Sequence, residues 1–251
     1  MGETLLRVEG LSKHFGGVVA VDGVGLEVAR GELHALIGPN GAGKTTIIHH
    51  LSGASPPDAG RIVFEGRDVT RLAFHERVAL GLARSFQITS IFRQFSVLDN
   101  IALAVQARSG SSLSFWRPLA AERALGEEAR RIVAEAGLAG REDVLAGNLA
   151  HGEQRQLEVG LALATRPKLA LLDEPTAGMG PEDAQRMIAF LNGLKGAVTI
   201  LLVEHDRDAV FRLADRISVL VNGRVIATGA PAEIRANGEV RRAYLGEEFR
   251  A

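Results

Sequence analysis

The sequence predicts an α/β fold with a central parallel sheet, an antiparallel β subdomain and an inserted helical subdomain. Three observations lead to this prediction. Residues 38–46 read Gly-Pro-Asn-Gly-Ala-Gly-Lys-Thr-Thr, which matches the phosphate-binding pattern G-x-x-x-x-G-K-[ST] between an apolar run and a helical segment. The largely apolar runs 168–172 and 198–203 are typical of buried strands. Between the loop and these runs, residues 88–165 have a mainly helical pattern.

The composition limits the class of protein. The 251 residues allow one large or two modest domains, and the formal net charge of −1 gives no general attraction to nucleic acid or anionic lipid. The absence of cysteine excludes a disulfide framework and thiolate metal sites, and it fits a reducing compartment. No apolar run reaches the ~18–20 residues of a membrane span, and the first residues lack a signal-peptide pattern. We therefore expect a soluble, cytoplasmic protein without a nucleic-acid partner.

The first part of the chain is expected to be antiparallel, because its predicted strands are too closely spaced for crossover helices. These strands lie at 5–11, 18–21, 25–29, 33–37 and 61–64. Helices are expected at 44–51, directly after the phosphate-binding loop, and at 74–81.

The inserted region is expected to contain helices at 97–107, 122–136 and 152–165, with a polar break at 109–118. A helix from Pro181 then separates the core strands 168–172 and 198–203. The pair Asn222-Gly223 predicts a hairpin, and a short helix from Pro231 leads into a helical tail.

The phosphate-binding loop has a defined chemistry. Its glycines allow backbone N–H groups to converge on phosphate oxygens, and the following helix adds the positive end of its dipole. Lys44 would reach the β- and γ-phosphates, and the Thr45 hydroxyl would ligate Mg²⁺. The nucleotide contacts expected from the loop come from Asn40, Gly41, Ala42, Gly43, Lys44, Thr45 and Thr46.

A pair of acidic residues follows the apolar run that ends at Leu172. Asp173 lies at the end of a predicted buried strand, where α/β proteins bind ligands, and it is suited to hold Mg²⁺ through water. Glu174 could polarise the water that attacks the γ-phosphate. Taken alone, the pair would be interpreted as an ordinary strand-to-loop junction. The phosphate-binding loop upstream favours the functional interpretation.

With these motifs in place, the sequence resembles the ATPase subunits of ABC transporters over nearly its whole length. Residues 149–154, Leu-Ala-His-Gly-Glu-Gln, stand at the position of the family's LSGGQ signature, at the usual distance before the acidic pair. Gln87 matches the family's Q-loop glutamine, and His205 matches its switch histidine. Phe15 stands where the family has an aromatic residue that stacks on adenine.

The resemblance implies a P-loop NTPase fold of the ABC ATPase type, with ATP and Mg²⁺ as cofactors. Residues 1–251 would form one such domain. Its parts would be a RecA-like core with the antiparallel β subdomain and C-terminal tail, 1–87 and 166–251, and a helical signature subdomain, 88–165. The implied catalytic residues are Glu174, His205, Gln87 and Lys44. The implied metal-site residues are Thr45, Gln87 and Asp173. Besides the loop, the implied nucleotide contacts are Phe15, Ala150, His151, Gly152 and Glu153.

Two motifs depart from the family's common form. Ala150 replaces the serine whose hydroxyl bonds the γ-phosphate, and His151 replaces a glycine. Phosphate contact is therefore expected to rest on backbone N–H groups near Gly152 and on the helix dipole. Gly180 stands where the family usually has an aspartate in its D-loop, which affects one contact across the dimer.

Four stretches resemble the ATPases that power importers of branched-chain and other hydrophobic amino acids: 83–87, 149–158, 177–183 and 243–248. The resemblance implies permease subunits, a second ATPase subunit that is either identical or related, and indirectly a solute-binding protein. It also implies a peripheral position on the cytoplasmic face of the inner membrane, with ATP between the loop of one subunit and the signature of the other. Residues 91–95 would form the groove for a permease helix.

Other classes of protein fit the sequence less well. The ATPase of lipopolysaccharide export is similar in sequence and is the main alternative. Soluble ABC ATPases of DNA repair or translation carry zinc fingers, coiled coils or tandem domains, and this chain has no cysteine and only one phosphate-binding loop. A GTPase would carry the motif N/T-K-x-D, which the sequence lacks. A binding module without hydrolysis is the weakest alternative, since Glu174 and His205 are present.

Overall fold

The computed structural model describes residues 2–84, 91–108 and 119–245, except for the side chains of 119–122 and 245. The strands in this part of the chain are β1 (Thr4–Phe15), β2 (Val18–Ala29), β3 (Leu33–Ile37), β4 (Ala59–Phe64), β5 (Arg67–Asp68), β6 (Leu82–Arg84), β7 (Leu169–Asp173), β8 (Thr199–Val203), β9 (Arg216–Val221) and β10 (Arg224–Gly229). The helices are α1 (Lys44–Ser52), α2 (Phe74–Leu80), α3 (Val97–Arg108), α4 (Leu119–Glu135), α5 (His151–Ala164), α6 (Pro181–Gly193), α7 (Arg207–Leu213), α8 (Pro231–Ala236) and α9 (Gly238–Val240).

A six-stranded sheet with the order β10-β9-β3-β8-β7-β6 forms the centre of the fold. All of its neighbouring strands are parallel except the β9–β10 hairpin. Every residue of β3, β7 and β8 is buried, as expected for strands with both faces covered. Because the three strands are parallel neighbours, their carboxyl ends meet at one edge, where α/β proteins bind ligands. The predicted α/β fold is confirmed.

The antiparallel sheet has the order β2-β1-β4-β5. It differs from the prediction, which divided residues 18–29 into two strands. In the structure β2 is continuous, because irregular register against β1 takes up the extra residues. Gly23 has φ +62° and donates its N–H to the Ser12 hydroxyl at 3.0 Å, so it lies within the paired strand instead of ending it. The run 33–37 is not part of this sheet; it pairs in parallel with β8 and β9.

The core has two parts that share the parallel sheet. Side chains alternate between the faces of a strand, so Leu33, Ala35 and Ile37 lie in one cluster and Leu36 in the other. The first cluster includes residues of α3 to α7. The second joins the sheet to α1 and to the antiparallel strands. The phosphate-binding loop therefore emerges from a strand that is packed on both sides.

In the part of the chain that the structure describes, the α-helices α3, α4 and α5 follow one another between β6 and β7. The predicted boundaries of the helical subdomain, 88–165, stay a prediction, since residues 85–90 lie outside the described part of the chain. The polar break at 109–118 also lies outside it. Within the described residues, no helix is both long and apolar enough to cross a membrane.

Helix α7 is absent from the prediction. It has only seven residues and follows directly after His205 and Asp206. The Asp206 carboxylate accepts the Ala209 N–H at 3.1 Å and so caps the helix, a signal that was available in the sequence.

The C-terminal residues pack against helix α7 through two cation–π contacts. The guanidinium of Arg207 lies 5.0 Å from the ring centre of Tyr244, and Arg207 also donates to the Tyr244 carbonyl at 2.9 Å. The guanidinium of Arg235 lies 4.7 Å from the ring centre of Phe211. The tail of the chain is thereby joined to the segment that follows His205.

Arg77 of α2 holds the C-terminal end of α1, the helix that begins at the phosphate-binding loop. Its side chain is 1% exposed and donates to the carbonyls of His50, Leu51, Leu72 and Thr70 at 2.5–3.0 Å. Burial lowers the pKa of Arg77 to about 10, so the side chain remains charged at neutral pH and complements the negative end of the helix dipole.

Replacing Arg77 by methionine should keep the volume but leave buried carbonyls without donors. We expect Arg77→Met to lower the free energy of unfolding by about 3 kcal/mol. Chemical denaturation measures this change, and Arg71→Met, at an exposed arginine of the preceding loop, is the matched control. An equal effect of both substitutions would contradict the role of Arg77.

Candidate nucleotide site

The phosphate-binding loop connects β3 to α1 and requires glycine at two positions. A Cβ atom on Gly38 would lie 2.0 Å from the Leu220 carbonyl oxygen, and one on Gly43 would lie 2.3 Å from that of Ala20. Gly43 also has φ +106°. The loop is thus pressed against the backbone of neighbouring strands, which fixes its path.

Helix α1 begins at Lys44 without a side-chain cap and without an acidic residue in its first turn. The first N–H groups of a helix have no partner within it, so those near Lys44 and Thr45 can bind an anion. Lys44 is 7% exposed, and its ammonium group donates to the Gly38 and Pro39 carbonyls at 2.7 and 3.1 Å. Burial lowers the pKa of Lys44, while the charges of Glu174 and Asp173 oppose this shift. The lysine therefore lies within electrostatic range of the acidic pair.

Asp173 ends strand β7 and is 2% exposed. Its Oδ2 lies 3.4 Å from Nη2 of Arg84, whereas its buried Oδ1 has no hydrogen-bond partner among the described residues. Burial raises the pKa of Asp173, and the nearby Arg84 charge opposes the shift. An orphaned carboxylate oxygen and the Thr45 hydroxyl are the hard oxygen ligands that Mg²⁺ prefers, so the residues fit this metal.

Arg84 is a neighbour of the acidic pair that the motif analysis did not single out. It ends strand β6, which pairs with β7, and it is 9% exposed. Its guanidinium also lies 3.4 Å from the Ser52 hydroxyl at the end of α1. The sequence carries this arginine in the stretch 83–87, but nothing there indicates a contact with Asp173.

Glu174 and His205 face each other beyond the ends of β7 and β8. Glu174 has φ +49°, a left-handed backbone conformation that is costly for a residue with a side chain. Its N–H donates to the Val203 carbonyl at 2.8 Å. His205 Nδ1 lies 3.8 Å from a Glu174 carboxylate oxygen, and its side chain is 56% exposed. The two predicted catalytic groups are therefore adjacent and open to solvent.

The signature lies at the start of helix α5. Ala150 is the N-cap residue, and the Glu153 carboxylate folds back to accept its N–H at 3.0 Å. The other oxygen of Glu153 lies 2.9 Å from Nε of Arg141, which offsets the negative charge at the helix N-terminus. His151 lies beside Gly178, where a Cβ atom would be 3.3 Å from its Nε2. The glycine leaves room for this histidine.

Phe15 and Gln87 are two further predicted site residues. Phe15 ends strand β1, where it pairs with Val18, and its side chain is 55% exposed beneath the Lys13 ammonium group at 5.5 Å. An exposed ring with a cationic neighbour is available for stacking on a base. Gln87 lies outside the described residues, so its role stays a prediction.

Comparison with known families gives the class of protein. The sequence profile of the family described as ABC transporter matches residues 21–177, more than half of the chain. This chain therefore belongs to the ABC transporter family of ATPases, as the motifs predicted. A second profile, described as branched-chain amino acid ATP-binding cassette transporter, matches residues 224–250.

Two curated relatives give a more specific match than the general family profile. The chain is 38% identical to the high-affinity branched-chain amino acid transport ATP-binding protein LivG of Salmonella typhimurium and 36% identical to BraF of Pseudomonas aeruginosa, which carries the same description. Both alignments cover 98% of this chain and 100% of the relative.

Solved structures agree with this result. An ATP-binding cassette in its ADP conformation has a TM-score of 0.83 and 33% identity, covering 97% of this chain and 99% of that one. A nucleotide-free cassette has a TM-score of 0.82 and 32% identity, covering 97% and 100%. The predicted fold class, that of an ABC ATPase, is confirmed.

The left-handed backbone at Glu174 predicts a measurable cost in stability. Glycine adopts this conformation without a steric cost, so Glu174→Gly should stabilise the fold by about 1 kcal/mol relative to Glu174→Ala. In a chain of this size such a change raises Tm by about 2–4 °C.

Thermal unfolding of the two variants without nucleotide measures the difference. The comparison cancels the loss of the carboxylate charge, which the variants share. A glycine variant no more stable than the alanine variant would show that the backbone at Glu174 is unstrained.

Proposed function

We propose that this chain is the ATP-hydrolysing subunit of an importer for branched-chain or other hydrophobic amino acids. The observation that supports the substrate class best is the match of residues 224–250 to the branched-chain amino acid cassette profile, because this tail lies outside the general ABC match. The relatives named LivG and BraF support the same substrate class over the whole chain.

In this proposal the phosphate-binding loop and the acidic pair hold ATP together with Mg²⁺. Lys44 and the N–H groups at the start of α1 bind the β- and γ-phosphates, with further contacts from Asn40, Gly41, Ala42, Gly43, Thr45 and Thr46. Thr45, Asp173 and Gln87 would hold Mg²⁺, which neutralises charge on the phosphates. Phe15 stacks on the adenine base.

Glu174 acts as the general base in the proposed reaction, phosphoryl transfer to water. Its carboxylate accepts the proton of the attacking water, and His205, 3.8 Å away, donates a hydrogen bond to the γ-phosphate. Lys44 offsets the charge that develops on the phosphate oxygens. Gln87 is assigned a contact with both the metal and the γ-phosphate.

The second half of each ATP site is proposed to come from another ATPase subunit, either a copy of this chain or a related one. Ala150 has no hydroxyl, so the signature would bind the γ-phosphate through the N–H groups of His151 and Gly152. The pairing of Glu153 with Arg141 at 2.9 Å supports this assignment, because it removes part of the repulsion that a phosphate would meet.

A permease is the proposed membrane partner, with this subunit bound peripherally at the cytoplasmic face of the inner membrane. Phe92 and Phe95 are 58% and 45% exposed, and their ring centres are 5.5 Å apart. Asn100 holds their loop: its side chain accepts the Phe92 N–H at 2.8 Å and donates to the Phe92 and Ser96 carbonyls. A rigid, exposed aromatic pair suits the docking of an apolar helix face. A solute-binding protein would take part indirectly.

Replacing Glu174 by glutamine should separate binding from hydrolysis. We expect Glu174→Gln to bind ATP normally and to lower turnover by at least about 100-fold, since the amide cannot accept a proton from water. Phosphate release measures turnover, and a fluorescent ATP analogue measures binding. Glu135→Gln, at an exposed carboxylate of α4, is the control. Normal turnover of Glu174→Gln would refute the role of Glu174 as general base.

The aromatic pair predicts a separate effect on assembly. The double substitution Phe92→Ser and Phe95→Ser should abolish copurification of the permease from native membranes while leaving ATP binding unchanged. Leu103→Ser, at an exposed apolar residue of α3, should retain the permease. Retention of the permease by the double variant would contradict the docking surface.

The identity of the copurified permease tests the substrate class. Recovery of permeases for branched-chain or other hydrophobic amino acids supports the proposal. Recovery of lipopolysaccharide-export components would overturn it while leaving the ATPase mechanism in place.

A further inference from the structure

Glu204 is a buried carboxylate that the proposed reaction does not use. It lies directly before His205 at the end of strand β8 and is 0% exposed. Burying a carboxylate is costly unless hydrogen bonds compensate for the lost water. The hydrogen bonds that Glu204 accepts therefore show which groups compensate for its burial.

Each oxygen of Glu204 accepts hydrogen bonds from a different catalytic segment. Oε1 accepts the Thr176 N–H at 2.9 Å and the Thr176 hydroxyl at 2.6 Å. Oε2 accepts the N–H groups of His205 at 3.1 Å and, more weakly, Asp206 at 3.5 Å. Thr176 follows Glu174 by two residues. One carboxylate thus joins the segment after the proposed base to the backbone of the proposed phosphate-binding histidine.

This arrangement suits the carboxylate of a glutamate and not the amide of a glutamine, which has a similar size. All four groups that hydrogen-bond to Glu204 are donors, and only a carboxylate accepts on both of its oxygens. A glutamine in its place would turn an NH₂ group toward one pair of donors. Such preorganised contacts hold reacting groups at fixed separations, which electrostatic catalysis requires.

We infer that Glu204 is a positioning residue for ATP hydrolysis, which fixes Glu174 and His205 relative to each other through its bonds to Thr176 and to the N–H groups of His205 and Asp206. This inference rests on the proposed roles of Glu174 and His205. It adds a third carboxylate, fully buried and acting through its neighbours, to the groups that hydrolysis requires.

The test is steady-state ATP hydrolysis by the full chain, at a protein concentration where activity is proportional to enzyme. Glu204→Gln should lower kcat about 10- to 100-fold, because small displacements of catalytic groups have effects of this size, while KM for ATP changes less than about threefold. Glu32→Gln is the matched control. Glu32 is also buried and accepts a backbone N–H, from Ala29 at 2.6 Å, but it lies at the opposite end of the parallel sheet.

Thr176 provides a second pair of variants that keeps the test valid if Glu204→Gln does not fold. Thr176→Val retains the shape but removes the hydroxyl donor, and it should lower kcat about fivefold. Thr176→Ser restores the donor and should stay within about twofold of the native chain. A purely structural role would instead make kcat follow the folded fraction in every variant.

Four outcomes decide the inference. A loss of kcat in Glu204→Gln and Thr176→Val, with rescue in Thr176→Ser and normal kcat in Glu32→Gln, supports it. Unchanged kcat in Glu204→Gln, or equal kcat in Thr176→Val and Thr176→Ser, overturns it. Losses that match the folded fraction in Glu204→Gln and Glu32→Gln alike also overturn it. Full turnover of Glu174→Gln is a separate result, because it rejects the proposed base and leaves the comparison at Thr176 unaffected.

Discussion

The place of strand β8 between β3 and β7 is the constraint on which the site depends. Leu36 of β3 pairs with Val203 on one side, and Asp173 of β7 pairs with the same residue on the other. The phosphate-binding loop, the acidic pair and His205 each follow the end of one of these strands, so parallel pairing brings them to a single edge. A shift by one residue would turn each side chain of a strand to the opposite face. The bond from the Glu174 N–H to the Val203 carbonyl opposes such a shift.

Much of this edge could be predicted from the sequence because its signals are local. The glycines at 38 and 43 belong to a motif with fixed spacing, and the structure gives each a steric reason. The apolar runs that form β7 and β8 can be distinguished from their surroundings by composition alone. The antiparallel pairing of β1 with β2 followed from their short connection, whereas the path of residues 33–37 into the other sheet depended on partners more than 160 residues away.

Other features could not be predicted, because they arise only when distant segments meet. Arg84 reads as an ordinary strand residue until β6 pairs with β7 and brings it to Asp173. The left-handed backbone of Glu174 has no sequence signal, since glycine and asparagine are the usual residues there. The inferred positioning role of Glu204 likewise has no sequence signal, because it depends on contact with Thr176, which is 28 residues away in the chain. Polar groups that act through a neighbour become visible only in the folded structure.

The contacts between the tail and helix α7 determine which parts of this subunit can be exchanged. Helix α7 begins two residues after His205, and its Arg207 and Phe211 bind Tyr244 and Arg235 of the tail. A chimera that took only the tail from another cassette would lose the partners that Tyr244 and Arg235 have here. Residues 207–244 are therefore the smallest segment that can be transplanted with these contacts intact, and the graft begins two residues after His205.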